Sequence, residues 1–410
     1  MHIVFASVEF VTERMWDGGL SNYLEKASSI FADHGHRVTI VVLSGENNTF
    51  QYKENIMVVR VAKDSSQIAS LLRFVKDMEL RDTMEYVWYG YRLNKKIKEL
   101  NREDKIDIVQ YCHLKALGLL RIKQIPSVVR MSSFGPIKRE AHKSDFELRQ
   151  CKAMVTFSDR LDFLAIERAD GVFAPSAVTA LALKSVTNKK IEVLETPAMG
   201  VNVKQLPELP DGLVGKKYFL YFGTLCNFKG LKIIVQSIRR ILKKNSQYYF
   251  VFVGKDCGVS MEEGMRSPVV KKMKEEAGEY ACRILYYTPI SDRALLSSII
   301  YHAQMCILPF RHDNLPNTCV EAMELGKIVI STYKSGVSQL IKNGYNGFLI
   351  EPNDPEQLVD KITEVLALSE EEKKRVSRNA IKRIQRMNPD NFYKYMMSYY
   401  LGIIKDKLWI

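Results

Sequence analysis

The 410-residue sequence contains no uninterrupted apolar run of the roughly 18 to 20 residues that a membrane-spanning helix requires. Short internal repeats and low-complexity segments are also missing. The apolar run 1–6 has no basic leader, so we expect it to form a first buried strand and not a signal peptide. These absences favour an ordinary soluble protein over a membrane-spanning or fibrous one.

Cysteine spacing gives no sign of a disulfide framework or a metal site. The seven cysteines are Cys112, Cys151, Cys226, Cys257, Cys282, Cys306 and Cys319. An odd number without paired metal-ligand spacing favours reduced thiols in the cytoplasm. We expect most of these side chains to be small core residues.

Acidic residues are outnumbered, 47 against 60 Lys and Arg, which gives a formal net charge of +13. Such a charge attracts nucleic acid, anionic lipid or acidic substrates only where it forms a patch. Between Val87 and Arg102, aromatic residues lead into basic ones on a predicted helix, which suits an anionic membrane surface. The alternative is a solvated helix whose aromatic residues belong to the core. No nucleic-acid partner is expected.

The chain length and the hydrophobic periodicity predict two α/β domains. At 410 residues with 46% hydrophobic and 26% charged residues, the chain suits two globular domains of roughly 200 residues each. Apolar strands alternate with amphipathic helices from His2 onward, and the pattern restarts at Tyr218. Short connections between strand, helix and strand imply parallel sheets covered on both faces. The stretch from Pro197 to Gly215, rich in Pro and Gly, is the predicted linker.

Two carboxylates mark the strongest candidate site. Asp313 and Glu321 stand eight residues apart, on either side of a turn between a predicted strand and a predicted helix from Val320. The turn consists of Leu315, Pro316, Asn317 and Thr318. Unpaired N–H groups and the dipole at a helix start favour an anion. This pattern predicts a site for a phosphorylated, hydroxyl-rich ligand.

This segment resembles the donor site of the retaining nucleotide-sugar glycosyltransferases with two facing Rossmann-like domains (the GT-B fold), the glycogen-synthase-like group 1 enzymes. The motif continues through Ser335-Gly336, Asn343 to Gly347 and Pro352. The resemblance implies that Glu321 holds the ribose hydroxyls and that Asp313 contacts the donor sugar. It also implies that backbone groups near Pro289 and Ile290 select the nucleotide base of a UDP-, GDP- or ADP-sugar.

A second cluster follows the first strand of the second half. Lys229 precedes a helix at the carboxyl end of a strand, where ligands bind in open α/β sheets, and is suited to neutralise a leaving diphosphate. The resembled family has Arg where this chain has Thr224, so half of the family's cationic clamp is missing. A solvated lysine at a helix start is the alternative reading of Lys229.

The first half contributes two weaker candidates. Gly18 and Gly19 let backbone approach a phosphate or sugar closely, and the resemblance places this turn against the donor phosphates, with Trp16 where family members often have Lys. His113 ends a predicted strand at the position where the family's His contacts the transferred sugar. Residues after the next strand, near the same edge, are candidates to meet the acceptor, with the donor as the alternative; they are Arg130, Ser132 and Ser133.

The chemistry expected from this set is sugar transfer with retention and without a metal or other cofactor. No convincing Asp-X-Asp site stands out in the sequence, and Lys229 with helix N-termini provides an electrostatic substitute. The resemblance implies a saccharide or lipid-linked saccharide acceptor in bacterial surface polysaccharide synthesis, such as lipopolysaccharide, in the cytoplasm or at the inner face of the membrane. The alternatives are an epimerase or phosphorylase of the same fold, or a non-catalytic module that binds lipid or nucleic acid.

The expected division has three parts. Residues 1–196 form an acceptor-binding domain, residues 197–386 form the donor-binding domain, and residues 387–410 form a helix that returns to the first domain. An aromatic-rich face between Phe392 and Leu401 is suited to that packing.

Overall fold

The computed structural model describes residues 1–13, 18–141, 155–262, 265–333 and 335–408. Within them the chain forms two compact units. The first comprises Met1–Pro136, Met154–Pro197 and Pro389–Ile410, and the second comprises Ile137–Ala153 and Ala198–Asn388. Trp16 and Cys151, which the sequence analysis singled out, lie outside the described residues.

The first unit is built on an eight-stranded sheet in the order β3-β4-β2-β1-β5-β6-β7-β8. Every pair is parallel except β3 with β4. The strands are β1 (His2–Ser7), β2 (Arg37–Ser44), β3 (Asn48–Lys53), β4 (Ile56–Ala62), β5 (Ile108–Cys112), β6 (Ser127–Arg130), β7 (Gly171–Ala174) and β8 (Ile191–Val193). The helices are α1 (Gly19–Asp33), α2 (Ala69–Leu72), α3 (Met78–Glu103), α5 (Phe157–Arg168) and α6 (Ala177–Leu183). Helix α4 (Gly135–Ala141) begins in the first unit, and its residues from Ile137 onward belong to the second.

The second unit is built on a six-stranded parallel sheet in the order β13-β10-β9-β14-β15-β16, with a separate hairpin of β11 and β12. The strands are β9 (Lys217–Phe222), β10 (Tyr248–Val253), β11 (Val259–Glu262), β12 (Met265–Ser267), β13 (Ile284–Tyr287), β14 (Met305–Ile307), β15 (Val329–Thr332) and β16 (Phe348–Ile350). The helices are α7 (Leu231–Lys244), α8 (Val269–Ala277), α9 (Arg293–His302), α10 (Asn317–Glu324), α11 (Val337–Leu340), α12 (Pro355–Ala367) and α13 (Glu370–Gln385).

Both sheets have the doubly wound strand order. Taken in chain order, the main strands of the second unit follow the sequence 3-2-1-4-5-6, and the strand order reverses between β9 and β14. In the first unit it reverses between β1 and β5. Ligands of open α/β sheets bind outside the carboxyl ends of the strands at such a switch point. The predicted α/β class with two Rossmann-like sheets is confirmed.

The last helix, α14 (Pro389–Leu408), packs on the first unit, as predicted. Its Tyr400 is buried, stacks on Phe31 with ring centroids 5.6 Å apart, and donates a hydrogen bond to Oε1 of Gln110 at 2.6 Å. Tyr23 of α1 donates to the same oxygen at 3.3 Å. The aromatic face of α14 therefore completes the core of the first unit.

Two boundaries differ from the sequence-based ones. The described part of Ile137–Ala153 belongs to the second unit, although the sequence-based division placed it in the first domain. One contact of this segment with the second unit is a hydrogen bond at 3.3 Å, which a guanidinium N–H of Arg311 donates to the Ala141 carbonyl. Helix α10 begins at Asn317 rather than Val320, because Pro316 stands at its N-cap with extended backbone. Asn317 and Thr318 are therefore helix residues and not turn residues.

Cysteine burial follows the expectation only in part. Cys112, Cys226, Cys306 and Cys319 are buried, whereas Cys257 is half-buried and Cys282 is exposed. No disulfide joins any of these six described cysteines. None of the described helices combines the length and apolar character that a bilayer crossing demands.

Candidate donor site and the chain's relatives

Lys229 and Asp313 form an ion pair at the switch point of the second unit. The Lys229 ammonium contacts Oδ2 of Asp313, and the two side chains are 20% and 16% exposed. The Lys229 nitrogen also lies 5.0 Å from the ring centroids of both Phe228 and Phe310. Partial burial beside aromatic rings weakens solvent screening, so this pair interacts more strongly than one on an open surface.

Backbone packing explains why Lys229 reaches the loop after β14. Gly230 has a positive φ of 81°, and a Cβ there would lie 1.6 Å from the Pro309 carbonyl oxygen, so only glycine fits. The Arg311 N–H donates to the Phe228 carbonyl at 3.0 Å. The two loops at the carboxyl ends of β9 and β14 are therefore pressed together, which brings the ammonium to the carboxylate.

A third loop fixes Asp313 from the other side. The Gly336 N–H donates to the Asp313 carbonyl at 2.8 Å, and a Cβ on Gly336 would lie 1.1 Å from the Asn314 carbonyl oxygen. The Asp313 carboxylate also accepts a hydrogen bond from the Asn314 N–H at 2.8 Å. Gly336 thus belongs to the loop packing that holds the carboxylate in place.

Helix α10 carries the rest of the predicted donor set. Leu315 and Pro316 are buried, whereas Asn317 and Thr318 in the first turn are half-buried. The first turn of a helix leaves N–H groups without partners inside the helix, and these attract anions. The N–H groups at this helix start are therefore suited to an anion at the strand ends.

Glu321 lies one turn further along α10 and faces a cation that the sequence analysis missed. Its side chain is 22% exposed, and Oε1 is 3.6 Å from a guanidinium nitrogen of Arg293. Arg293 begins α9, three residues after Ile290. The predicted base-binding residues Pro289 and Ile290 therefore lead directly into a residue that contacts Glu321. The position of Arg293, a basic residue shortly after the predicted base-binding loop, was the sequence signal that could have indicated this contact.

His312 is the other neighbour that the sequence did not reveal. It is buried directly before Asp313. Burial lowers the pKa of His312, the nearby Lys229 charge lowers it further, and Asp313 opposes the shift. The imidazole is therefore neutral at pH 7. Thr224, on the loop after β9, is half-buried and brings no charge; its carbonyl accepts a hydrogen bond from Tyr221 at 2.9 Å.

In the first unit, His113 lies at the carboxyl end of β5 and is almost fully buried. Its Nδ1 accepts a hydrogen bond from the Ser132 N–H at 3.2 Å, which places the proton of the neutral ring on Nε2. Nε2 lies 3.2 Å from Oγ of Ser133. The imidazole is therefore held in one tautomer, with its N–H directed at a hydroxyl.

Arg130 supports this arrangement from beneath. Its side chain is only 4% exposed. The guanidinium donates hydrogen bonds to Oγ of Ser132 at 2.6 Å and to Oγ1 of Thr196 at 3.1 Å. The guanidinium carbon also lies 3.6 Å from the ring centroid of Tyr23. Burial lowers the pKa of Arg130. The predicted acceptor-side residues thus surround His113, with Arg130 buried below them.

The Gly18-Gly19 turn caps α1, at the end of the strand adjacent to β5. Its surroundings include a carboxylate that the sequence analysis did not single out. Oε1 of Glu9 accepts a hydrogen bond from the Ser21 N–H at 3.2 Å, and a Cβ on Gly18 would lie 2.7 Å from that oxygen. The amino end of α1 therefore already holds one negative charge.

The structure brings the predicted residues together as one set in each unit. Lys229, Asp313, the start of α10 and Glu321 cluster at the switch point of the second unit; His113, Arg130 and the two serines cluster in the first. Within the described ranges no three His, Cys, Asp or Glu side chains gather as metal ligands.

Most of the second unit matches a known protein family. The family model described as glycosyl transferases group 1 matches residues 211–383. Residues 211–383 are therefore similar to a group 1 glycosyltransferase domain. This segment contains Lys229, Asp313 and Glu321, so the resemblance inferred from their motif is confirmed.

The curated relatives of this chain are distant. The 2-deoxystreptamine N-acetyl-D-glucosaminyltransferase of Niallia circulans is 24% identical over 158 residues, which are 38% of this chain and 38% of that protein. The lipopolysaccharide 1,2-N-acetylglucosaminetransferase of Salmonella typhimurium is 26% identical over 36% of this chain and 39% of that protein. The alignments with the first three relatives span between 20% and 55% of those proteins' lengths.

Solved structures resemble the whole chain. Sucrose-phosphate synthase from Thermosynechococcus elongatus superposes with a TM-score of 0.72 at 16% identity, over 98% of this chain and 99% of that one. Likeness at this level of identity shows the fold alone, and it confirms the predicted GT-B class.

Proposed function

We propose that this chain is a glycosyltransferase that moves a sugar from a nucleotide-sugar donor to a hydroxyl acceptor, with retention and without a metal. The observation that carries the proposal is the Lys229–Asp313 pair beside the start of α10, inside a group 1 domain. It combines a cation, helix N–H groups and a carboxylate, which are suited to a diphosphate and a sugar hydroxyl.

The roles follow from the contacts. Glu321 binds the ribose hydroxyls in exchange for its long contact with Arg293, and backbone near Pro289 and Ile290 meets the base. Asp313 binds a sugar hydroxyl, while Lys229 moves from Asp313 toward the diphosphate. Thr224 adds no second cation, so the start of α10 carries the remainder of the charge stabilisation.

The reaction breaks the bond between the anomeric carbon and the diphosphate oxygen, which leaves with the electron pair. The acceptor oxygen attacks from the same face, and its proton passes to the departing phosphate. Lys229 and the N–H groups of α10 stabilise the developing negative charge.

The first unit is assigned to the acceptor, with His113 in contact with the transferred sugar. A sugar hydroxyl replaces Ser133 at Nε2, while Ser132 and Arg130 keep the ring in place. Gly18 and Gly19 keep their proposed place near the donor phosphates, where a phosphate has to approach the Glu9 carboxylate.

The donor class is suggested by a structural relative. An Anabaena protein, HepE, was solved in complex with UDP; it shares the fold with a TM-score of 0.67 at 15% identity, over 98% of this chain and all of that one. We propose a UDP-sugar as the first donor to test. For the acceptor we propose a saccharide or lipid-linked saccharide of a bacterial surface polysaccharide, at the cytoplasmic face of an anionic membrane.

Thermal unfolding against a panel of nucleoside diphosphates and nucleotide sugars in EDTA tests the donor assignment, because a ligand of the folded state raises the Tm. We expect a selective rise with one nucleotide sugar, lost in Glu321→Ala and kept in Glu276→Ala, an exposed glutamate on α8. A rise that persists in Glu321→Ala contradicts the ribose assignment. NMR of the product anomer then reports retention or inversion, and conversion of the donor without an acceptor indicates an epimerase.

A further inference from the structure

An apolar groove of about 450 Å³ opens on the first unit, away from the residues assigned above. Helix α2, the first half of α3, the 3₁₀ turn Leu114–Leu120 and the start of α5 form its walls. Its volume lies in the range of small-molecule sites, which is about 300 to 1,000 Å³. It is large enough for a ligand and not only for water.

The polar side-chain atoms of Thr83 and Trp88, which line the groove, already have hydrogen-bond partners. Oγ1 of Thr83 donates to the Glu79 carbonyl at 2.7 Å, and Nε1 of Trp88 donates to the Asp64 carbonyl at 2.9 Å. The other lining side chains are aliphatic, aromatic or Met, with Tyr91 stacked on Trp88 at the edge, ring centroids 5.3 Å apart. As far as the described residues line it, the groove offers an occupant apolar surface and almost no hydrogen bonds.

Large apolar side chains are exposed along this groove. Leu71 is 54% exposed, Leu120 is 42% exposed and Phe157 is 49% exposed, and all three line it. In the segment of the chain that joins α2 to α3, Phe74 is 86% exposed, and Met78 at the start of α3 is 78% exposed. A contiguous apolar patch of this kind marks an interaction surface.

The lining chemistry selects the occupant. An extended peptide partner brings backbone N–H and C=O groups that require hydrogen bonds, and protein interfaces supply about one per 100 to 200 Å². A hydrocarbon chain brings none and fills a concave apolar channel. We propose that this groove binds one hydrocarbon chain, acyl or isoprenoid, of a lipid-linked acceptor; the acceptor part of this proposal rests on the function proposed above.

A short segment of the polypeptide joins the groove to the candidate acceptor site. The 3₁₀ turn that forms one wall begins directly after His113, and its Leu120 lies seven residues on, which limits the separation to about 25 Å. Lys115 and Ala116 have positive φ values of 63° and 50°, and the Ala116 N–H donates to Oδ1 of Asp162 on α5 at 2.7 Å. The proposal therefore requires the head group of a lipid in the groove to span at most about 25 Å to His113.

Quenching of tryptophan fluorescence by 12-bromododecanoate, below the concentration at which it forms micelles, tests the groove directly. Trp88 lines the groove, so we expect saturable quenching in the wild-type protein and its loss in Trp88→Phe. Leu120→Glu and Leu71→Glu, on separate elements, each put a charge in the groove and weaken binding at least tenfold. Leu181→Glu, at a 68% exposed position on α6 outside the groove, is the matched control and leaves binding unchanged.

The outcomes separate this proposal from the proposed function. Quenching that saturates and is weakened by the groove variants supports the groove as a binding site for a hydrocarbon chain, even if no nucleotide sugar is turned over. In that case only the transferase proposal fails. With turnover present, Leu120→Glu raises KM at least tenfold for an alkyl-linked acceptor and leaves KM for the same saccharide without the chain unchanged. Equal quenching in wild type and Leu120→Glu overturns the proposal. A change from dimer to monomer in Leu120→Glu by light scattering also overturns it, because a second copy then occupies the groove.

Discussion

Lys229 has its charge balanced by Asp313 before any ligand is present. Under the proposed donor assignment, a diphosphate has to compete with an internal carboxylate for the same cation, and a sugar hydroxyl that binds Asp313 would make the exchange favourable. An ion pair used in this way couples recognition of the two halves of the donor. Lys229 and Asp313 have to be substituted singly as well as together, because each is the other's counter-ion.

Removing the cation tests this coupling. We expect Lys229→Ala to lower kcat by roughly 10²- to 10³-fold, the usual effect of deleting one group that stabilises transition-state charge. Steady-state kinetics with saturating donor measures it, and Lys243→Ala, at an exposed position on α7, is the control. Turnover at the wild-type rate in Lys229→Ala refutes the charge assignment.

His312 makes the second unit sensitive to acid. Because burial lowers its folded-state pKa below the ordinary 6.5, the unfolded chain takes up this proton first as pH falls, and stability is lost below about pH 6.5. In the wild-type protein this proton uptake lowers the free energy of unfolding by up to about 1.4 kcal/mol for each pH unit below 6.5. We expect His312→Gln to abolish this contribution.

Urea unfolding at pH 7.5 and pH 5.5 measures the difference for His312→Gln, with His302→Gln, at an exposed position, as the control. If His312→Gln shows the same pH dependence as the wild-type protein, His312 is not the group that titrates. Carboxylates titrate alike in all three proteins and therefore cancel in the comparison.

Sequence motifs were sufficient to find Lys229, Asp313 and Glu321, because the family spacing places them at strand ends that the doubly wound order brings together. Arg293, His312 and Glu9 were not found. Each acts through a contact between loops that are distant in sequence or through burial, and neither property is encoded in local spacing.

At the scale of elements, loop packing around Asp313 depends on glycine more than on hydrogen bonds. The loops at the ends of β9, β14 and β15 meet at Gly230 and Gly336, where backbone atoms of the neighbouring loop occupy the space of a side chain. The periodic pattern predicted the strands and helices well, but it placed the start of α10 three residues late. The reason is that Pro316 caps the helix, and the sequence analysis assigned it to a turn.

A methyl group at Gly336 tests this packing. We expect Gly336→Ala to cost more than about 2 kcal/mol of unfolding free energy, because the Asn314 carbonyl cannot yield without moving Asp313. Gly402→Ala, in α14 with open space around it, is the control and is expected to stabilise by about 0.5 to 1 kcal/mol. Urea denaturation measures both, and a loss below about 0.5 kcal/mol for Gly336→Ala contradicts the argument.

At the scale of the whole molecule, the first unit is made from segments at both ends of the chain. The aromatic residues of α14 occupy part of its core, with Tyr400 hydrogen-bonded to Gln110 beside Tyr23. The return of this helix was predictable from its aromatic face and the family resemblance. Its buried polar network was not, since the three partners are separated by up to 377 positions in sequence.

Deleting residues 389–410 is expected to unfold or aggregate the first unit while the second keeps its structure. Nucleotide-dependent thermal stabilisation reports the second unit, and limited proteolysis reports the first. Tyr400→Phe, which keeps the ring and removes one buried hydrogen bond, is expected to cost about 1 to 3 kcal/mol in the first unit alone. Protection of the first unit from protease in the truncated chain contradicts the role of α14.

Because the first unit is closed by α14, its folding during synthesis waits for the second. Roughly 190 residues separate Pro197 from Pro389, and a ribosome adds about 5 to 20 residues per second, so some 10 to 40 seconds pass between the two. Throughout that interval the nascent first unit lacks Tyr400, and the apolar surface of α1 that it covers is open to solvent. We expect this protein to depend on chaperones that bind nascent chains, and a variant with α14 fused ahead of β1 to depend on them less.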